Sequence, residues 1–473
     1  MNIKRIGIFL IIVLFIFGCK PEPEPEIPES TVLLTVGNSK NLSAMLGAGM
    51  SGKTITWSSS NSSKVSVSSG GIATAVITSF SATEGGNKKY TECPARAEVI
   101  ITAKRSDDKT QTFKVIATTE AQEKIMDLPP LKDRFPSTIL VGNIATGSSV
   151  SGTLSRHFNA LTSENSMKPN AIAPSQESYS WSSDSFVDSA IASGFKVIGH
   201  TLLWHSQIPT WQTNMASADK EVALAAMKKY ITDVVTHFKG KIYSWDVLNE
   251  AFPDSGAGSN WETAIRKENP WFKAIGSDFV YEGFLAARLA DPVAILYYND
   301  YNTDSTGRAT LIRDMVKAVN DKYLASGDKP VGEDPERLLI EGIGMQEHHN
   351  TGVAAGNIRN ALNLFKPLGV KISVSELDVL GQSWGSFSPT PGSGANKQGQ
   401  STVTNNGLIT QATKYSEYMT VYKDFADIIE RISFWGVTDN QSWRSAGLPL
   451  LFDKDGKAKP AYYKFVGAIP TTW

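Results

Sequence analysis

Cysteine, net charge and long apolar runs are scarce in this chain, and each scarcity excludes a class of protein. Only two of the 473 residues are cysteines, Cys19 and Cys93, so a disulfide framework is excluded. The formal net charge is -1 and basic residues form no run, which gives no reason to expect a nucleic-acid partner. Hydrophobic residues make up 41% and charged residues 20%, as in an ordinary globular protein long enough for more than one domain.

The long apolar run lies at the N-terminus, where Lys4 and Arg5 precede a stretch that ends at Phe17. This stretch is too short and too near the terminus for a membrane-spanning helix, and it predicts a secretory signal segment. It closes with IFGC, which resembles a bacterial lipobox and implies a lipoprotein signal peptide over residues 1–19, with Cys19 as the lipidated residue. Cleavage at another site, which would release a free protein, is the alternative.

Residues 20–30 alternate proline and glutamate, a composition that stays extended and predicts a stiff linker. An acidic stretch directly after the lipidated cysteine resembles the surface-export signals of Bacteroidetes lipoproteins. That resemblance implies an outer-membrane lipoprotein, exposed at the cell surface and attached to the membrane only through its N-terminal lipid.

Residues 31–118 contain short β-rich runs separated by Gly, Ser and Asn turns, a pattern typical of a small all-β sandwich. The order TVG, NLSA, ITWSSSN and VSVSSGGIATA resembles bacterial immunoglobulin-like domains. No acid pair or histidine cluster stands out, so we interpret this region as a spacer whose removal should leave the chemistry intact. Carbohydrate binding through Trp57 is the alternative.

Residues 121–473 alternate apolar strands with helical patterns and predict an α/β fold, a (β/α)8 TIM barrel. The helical patterns are clearest at 219–238, 279–289, 306–324 and 411–429. A doubly wound sheet is less favoured, because no glycine-rich phosphate loop follows the first strand. The predicted strands are continuously apolar, as buried parallel strands should be: 138–147, 160–166, 196–203, 243–249, 294–301, 338–346, 371–377 and 431–438.

Two of these strands end in glutamates. Glu250 follows Asn249 after YSWDVL, and Glu376 lies in KISVSELDV. Because Lys371, the nearest cation, lies at the other end of its strand, a structural ion pair does not explain Glu376. Two carboxylates at the ends of separate strands are what glycoside hydrolysis needs.

The polar motifs resemble those of glycoside hydrolase family 10 at six of eight strand ends and in strand order. They read SENSMKP, GHTLLWHSQ, WDVLNE, GIGMQEHH, VSELD and WGVTDNQSW. The resemblance implies a retaining endo-1,4-β-xylanase that acts on xylan through a covalent intermediate, with no cofactor and no metal, and as a monomer. A related β-1,4-glucanase or mannanase and a non-catalytic surface xylan-binding protein are the alternatives.

The resemblance also implies roles for individual residues. Glu250 matches the general acid/base, Asn249 the group that holds the sugar 2-hydroxyl, and Glu376 the nucleophile. The nucleophile is supported by His348 and Gln346, and Asp378 supplies a further charge. Substrate-binding positions are Glu164, Asn165, Lys168, His200, Trp204, Gln207, Tyr301, Trp435 and Trp443.

Two features fall outside these matches. His348 and His349 are adjacent and should point to opposite faces, so we expect no shared metal and interpret His349 as a loop residue. The segment 381–407 is longer and richer in Gly, Ser and Pro than the family pattern. It follows the nucleophile strand and is either an extra substrate contact or a mobile insertion.

Overall fold

The computed structural model describes residues 31–254, 258–384 and 401–470. The predicted signal peptide 1–19 with Cys19, the linker 20–30 and most of the segment 381–407 lie outside the described residues. Within the described part of the chain, no helix combines the length and the apolar character needed to cross a bilayer.

Between residue 31 and the barrel, seven strands form two sheets packed face to face, as the sequence predicts. The sheet orders are β1-β7-β6-β3 and β2-β5-β4, and both sheets contribute to one apolar core. In β6, Ala97, Val99, Ile101 and Ala103 alternate with outward-facing residues, which gives the period of two expected for a strand with one buried face. The strands are β1 (Thr31–Thr35), β2 (Ser39–Asn41), β3 (Ile55–Ser59), β4 (Val65–Val67), β5 (Ile72–Ala75), β6 (Arg96–Arg105) and β7 (Thr110–Thr118).

Eight parallel strands close into the predicted barrel, since the sheet runs β13-β12-β11-β10-β9-β8-β16-β15 and β13 also pairs with β15. The short strand β14 (His348–Asn350) extends this sheet beside β15. The barrel strands are β8 (Leu140–Ala145), β9 (Ala160–Ser163), β10 (Lys196–Leu203), β11 (Ser244–Asn249), β12 (Ile295–Asp300), β13 (Gly342–Met345), β15 (Lys371–Leu380) and β16 (Ile429–Phe434).

Helices surround the barrel and cover the outer faces of its strands. The described helices are α1 (Gly152–His157), α2 (Pro169–Ile172), α3 (Asp184–Ala192), α4 (Thr210–Asn214), α5 (Lys220–His237), α6 (Trp261–Ala264), α7 (Pro270–Ile275), α8 (Asp278–Ala290), α9 (Thr306–Ala325), α10 (Ala355–Phe365), α11 (Asn405–Asp424) and α12 (Pro460–Ala468). The helix predicted at 411–429 is displaced, because Thr404 caps α11 by accepting a hydrogen bond from Gly407 N at 3.1 Å.

Large side chains fill the barrel interior below the site. A Cβ at Gly342 would lie 2.2 Å from the ring of Tyr297, so this glycine makes room for the aromatic ring of the neighbouring strand. Near the N-terminal ends of the strands, Glu430 accepts hydrogen bonds from Tyr243 at 2.7 Å and Tyr297 at 2.5 Å and pairs with Lys371. The filled lower end leaves the C-terminal mouth as the place for a substrate.

The sandwich packs directly on the barrel, a contact that the sequence does not predict. Ile409 of α11 shares a small apolar cluster with Val36, Ile77, Phe80 and Ala95 of the N-terminal region. Asn38 also donates to Glu123 Oε2 at 2.8 Å. Contacts of this kind fix the orientation of one region on the other.

Candidate active site

Glu250 lies immediately after β11, in a backbone conformation that is uncommon for a non-glycine residue. Its φ is +55°, and its main chain is held on both sides. The Glu250 N–H donates to Asn299 O at 2.9 Å, and its carbonyl accepts from Arg266 Nε at 3.2 Å. A strained conformation that the surroundings maintain is a common feature of functional sites.

The Glu250 carboxylate is bound by neutral donors. Trp204 Nε1 donates to Oε2 at 2.9 Å, and Gln346 Nε2 donates to Oε1 at 3.0 Å. Neutral donors orient a carboxyl group without requiring it to stay charged, which suits a group that must both give and take a proton.

The Glu376 carboxylate, by contrast, faces a histidine that can carry a charge. His348 Nε2 lies 3.1 Å from Oε2, and Asn299 Nδ2 donates to Oε1 at 2.8 Å. Burial alone would raise the pKa of Glu376, but the hydrogen bond and charge of His348 outweigh it and hold the pKa below its usual value. Glu376 is therefore ionised at neutral pH.

His348 lies between two carboxylates, because its Nδ1 is 3.0 Å from Asp378 Oδ2. Burial lowers the pKa of this imidazole, but the charges of Asp378 and Glu376 outweigh that effect and raise the pKa to about 9. Asp378 in turn pairs with Arg444, whose guanidinium also donates to His349 O at 3.1 Å. These side chains form a row of alternating charge, Arg444, Asp378, His348 and Glu376, which we call the charged row.

Two asparagines connect the glutamates. Because a carboxylate only accepts hydrogen bonds, Asn299 must turn its amide nitrogen toward Glu376, and the same nitrogen donates to Asn249 Oδ1 at 2.9 Å. Asn249 therefore points its own nitrogen toward Glu250 Oε1, at 3.3 Å. The side chain of Gln346, predicted to support Glu376, donates instead to Glu250 and to Asn249, and only its main-chain carbonyl meets Glu376 N, at 3.1 Å.

Lys168 and its neighbours lie on the side of the site formed by β9. Lys168 Nζ donates to Asn165 Oδ1 at 3.0 Å and lies 5.3 Å from the centre of the Trp204 ring. Burial lowers the pKa of Lys168, whereas the charges of Glu376, Glu164 and Glu250 act in the opposite direction. The lysine therefore lies within the electrostatic reach of both candidate catalytic acids.

His200 and Trp435 form another wall. His200 Nδ1 lies 2.9 Å from Asp246 Oδ2, so this nitrogen carries the proton. Trp435 is buried and meets the rings of His200 and His348 edge-on, at 5.5 and 6.3 Å. Trp443 is 42% exposed and its ring lies 5.4 Å from that of His348, so it presents an aromatic surface beside the histidine that bonds Glu376.

Tyr301 and Gln207, two further predicted substrate residues, follow β12 and β10. Tyr301 donates to Asp254 Oδ1 at 2.5 Å and also contacts Arg266, the residue that holds the Glu250 carbonyl. Gln207 is exposed after β10, with φ +48°, and its carbonyl accepts from Asn170 N at 3.0 Å.

His349 is not a loop residue. It lies in β14, is buried, and its Nε2 is 2.9 Å from Glu347 Oε2. A buried imidazole needs a hydrogen-bonding partner, and Glu347 supplies it. Among the residues that the structure describes, no group of three or more His, Cys, Asp or Glu side chains is arranged to hold a metal ion.

Sequence reasoning missed three residues of the site. Asn299 is the last residue but one of β12, within YYND, and this position could have marked it as inward-facing. Asp246 lies in β11 beside His200. It precedes Glu250 by four residues, an even spacing, which was a weak sign that both side chains are on the same face of the strand. Arg444 follows Trp443 in an irregular segment, where no periodicity indicates which way a side chain points.

A closed parallel barrel with two glutamates held at the C-terminal ends of its strands defines a glycoside hydrolase. The model of glycosyl hydrolase family 10 matches residues 132–468, and the chain belongs to this family.

Known proteins resemble the chain over different lengths. An endo-1,4-β-xylanase of Geobacillus stearothermophilus is 32% identical over 353 residues, which covers 72% of this chain and 98% of that protein. Endo-1,4-β-xylanase A of Thermotoga neapolitana is 33% identical and covers 75% of this chain, yet the chain spans only 32% of that relative's length.

A crystal structure of a bacterial Ig-like domain containing family 10 xylanase from termite gut superimposes with a TM-score of 0.85 at 52% identity. The superposition covers 93% of this chain and 98% of the termite-gut chain. Because the family 10 match spans only residues 132–468, a superposition of this extent includes the sandwich as well as the barrel.

Proposed function

We propose that this protein is a retaining endo-1,4-β-xylanase that hydrolyses internal bonds of xylan. The observation that carries the proposal is the unequal surroundings of the two glutamates. Glu376 is held ionised by His348, while Glu250 is bound by the neutral groups of Trp204 and Gln346. The names of the relatives, endo-1,4-β-xylanases in the main, support the substrate class.

In the first step, Glu376 attacks the anomeric carbon while Glu250 gives its proton to the glycosidic oxygen, and the leaving sugar departs. The sugar is then bound covalently to Glu376. In the second step, Glu250 takes a proton from water, the resulting hydroxide attacks the same carbon, and Glu376 is released as a carboxylate. Asn249, whose amide nitrogen faces Glu250, is placed to hold the sugar 2-hydroxyl.

A retaining pair stands about 5–5.5 Å apart, whereas an inverting pair stands about 6.5–9.5 Å apart to admit a water. Asn249 and Asn299 join Glu250 and Glu376 in one hydrogen-bond network, and we propose that the pair has the shorter spacing. Both residues are glutamates, one methylene longer than aspartate, and reach inward from opposite parts of the mouth.

Trp435 and Trp443 account for the preference for xylose. Both lie beside His348, close to the sugar attached to Glu376. Xylose lacks the hydroxymethyl group of glucose, so bulky rings at this place exclude hexoses by steric clash, an effect of about 1–3 kcal/mol.

A β-1,4-glucanase is the second candidate, because one relative, Exoglucanase XynX of Acetivibrio thermocellus, is 33% identical over 357 residues. Product profiles on plain xylan, arabinoxylan, glucuronoxylan and carboxymethylcellulose distinguish the two. We expect xylo-oligosaccharides of several lengths and little release from carboxymethylcellulose. Comparable turnover of carboxymethylcellulose would favour the glucanase.

We also propose that the enzyme is a lipoprotein of the outer membrane, exposed at the cell surface and attached through Cys19. The signal-like residues 1–19 and the Pro/Glu stretch 20–30 support this location. An extracellular enzyme meets a polymer that is too large to enter the cell.

A further inference from the structure

Asn405, the first residue of α11, lies in the barrel region of the sequence. Its side chain is nevertheless hydrogen-bonded to the N-terminal sandwich region. Its side chain is fully buried. Nδ2 donates to Gly85 O and Cys93 O, each at 2.9 Å, and Oδ1 accepts from Ala95 N at 3.0 Å and from Thr119 Oγ1. Every one of these partners lies in the N-terminal region of the chain.

Asn406 repeats the arrangement. Phe80 N donates to Asn406 Oδ1 at 2.8 Å, and Asn406 Nδ2 donates to Phe80 O at 3.1 Å. Main-chain bonds add to these, from Asn406 N to Gly86 O at 3.0 Å and from Tyr90 N to Val403 O at 3.0 Å. Asn405 and Asn406, here called the docking asparagines, therefore complete the hydrogen bonding of a sandwich segment that has no regular strand.

The first turns of α11 also press against the end of the nucleophile strand. Gln411 Nε2 donates to Val379 O and to Leu448 O, each at 2.6 Å. Gly407 lies so close that a Cβ there would be 2.3 Å from Gly381 O. Residues 379–381 follow directly on Glu376 and Asp378, and Leu448 belongs to the segment that carries Arg444.

We propose that the sandwich is a working part of the catalytic unit. By binding the docking asparagines it fixes the start of α11, and α11 fixes the strand and loop that carry the charged row. Asn405 is thus a positioning residue for Glu376. This inference rests on the proposed function, since it assigns Glu376 as the reacting group, and it replaces the expectation that residues 1–118 are dispensable.

The test uses the full-length protein and three variants. Asn405→Ala removes the buried amide. Gly86→Ala acts from within the sandwich, because its Cβ would lie 2.2 Å from Phe80 O and 2.8 Å from Asn406 Nδ2. Gly49→Ala is the matched control, since a Cβ there meets nothing within 4 Å. Kinetics on an aryl β-xylobioside are measured as a function of pH, below the unfolding temperature of every variant.

We expect Asn405→Ala and Gly86→Ala to lower kcat about tenfold and to move the acid limb of kcat/KM to higher pH. The limb moves because His348, whose hydrogen bond and charge lower the pKa of Glu376, is no longer held in place. Gly49→Ala should match the wild type. An unchanged limb in both interface variants would overturn the proposal, because a loss of stability alone lowers activity without moving the limb.

Hydrogen exchange gives a readout that does not depend on activity. The Val379 and Gly381 amides donate to Pro449 O and Gly447 O, at 3.0 and 2.8 Å. These amides should exchange faster in both interface variants, and in Asn406→Ala if Asn405→Ala does not fold, but not in Gly49→Ala. Unchanged exchange would contradict the proposal. If the wild type degrades no xyloside, the proposed function is wrong. The hydrogen-exchange experiment still tests whether the docking asparagines position the strand that carries Glu376.

Discussion

His348 lies between Glu376 and Asp378, and this placement sets the charge of all three groups. The carboxylates raise the pKa of the imidazole to about 9, and the imidazolium in turn lowers the pKa of Glu376. The pKa of Asp378 is lowered first by the charge of Arg444 and then by that of His348. Arg444 supplies the second cation that two buried carboxylates need. A nucleophile must be ionised before it attacks, so the ionised state of Glu376 agrees with the role that we propose for it.

Replacing each of the two glutamates should affect turnover in a different way. Glu376→Ala should abolish turnover of every substrate, because no covalent intermediate can form. Glu250→Ala should lower kcat on xylan by about 10²–10⁴-fold, the usual contribution of general acid–base catalysis. The first step on aryl xylosides should be spared, because their leaving groups need little protonation. Pre-steady-state release of the phenol checks this, and equal losses on both substrate types would reverse the assignment.

The acid limb of kcat/KM should report Glu376. Its folded pKa lies below the ordinary glutamate value because of the hydrogen bond and charge of His348, so the ionised form is lost only at a pH lower than that at which an ordinary glutamate is protonated. His348→Asn removes the cation while burial remains, so the limb should move to higher pH. His237→Gln, at a partly exposed histidine of α5, is the control. A limb at the same pH in His348→Asn would show that His348 does not set the charge of Glu376.

At the scale of the elements, neighbouring barrel strands pack through pairs of a glycine and an aromatic residue. Gly199 of β10 faces the ring of Trp245 on β11, and Gly342 of β13 faces Tyr297 on β12 in the same way, where a Cβ would lie 2.2 Å from the ring. In each pair the glycine leaves room for the large ring. Tyr297 fills the barrel interior, whereas Trp245 is on the outward face of β11 and packs against Phe238 at the end of α5. In both pairs a small residue on one strand therefore accommodates a large residue on the neighbouring strand.

Gly199→Ala should destabilise the protein by about 1–3 kcal/mol, because its Cβ would overlap Trp245, a cost typical of overpacked cores. Gly356→Ala is the matched change in an exposed position of α10, where a Cβ meets nothing within 4 Å. It should instead stabilise by about 0.5–1 kcal/mol. Thermal and denaturant unfolding measure both, and equal stability of the two variants would contradict this account of the packing.

The sequence predicted the eight barrel strands because parallel strands covered on both faces are continuously apolar. It did not predict where α11 begins, since Thr404 and Asn405 read as ordinary loop residues. It gave both glutamates through their motifs, but not Asn299 or Arg444, whose roles depend on residues distant in the sequence. The partners of Asn405 lie more than 280 positions away, and no local pattern records such a contact.

At the scale of the whole molecule, the sandwich and the barrel are joined through contacts on α11 and α12. Besides the docking asparagines, Tyr463 of α12 donates to Glu123 Oε2 at 2.5 Å, and the same oxygen accepts from Asn38. The superposition with the termite-gut xylanase covers 93% of this chain, so the two proteins share the placement of both parts.

Membrane attachment should depend on a single residue. Cys19→Ala should move the protein from the membrane fraction to the soluble fraction, because no thioether lipid can form. The activity of the released protein should equal that of the wild type, since the catalytic residues lie beyond residue 160. Fractionation followed by immunoblotting checks this, and a variant that stays in the membrane fraction would contradict the lipoprotein proposal.

The anomeric configuration of the first product tests the double-displacement mechanism most directly. Two successive inversions at the anomeric carbon, by Glu376 and then by water, return the β-configuration. Proton NMR of the early hydrolysate of xylo-oligosaccharides distinguishes the anomers before they equilibrate. We predict that β reducing ends appear first and α ends follow by mutarotation, whereas α reducing ends appearing first would contradict the covalent intermediate on Glu376.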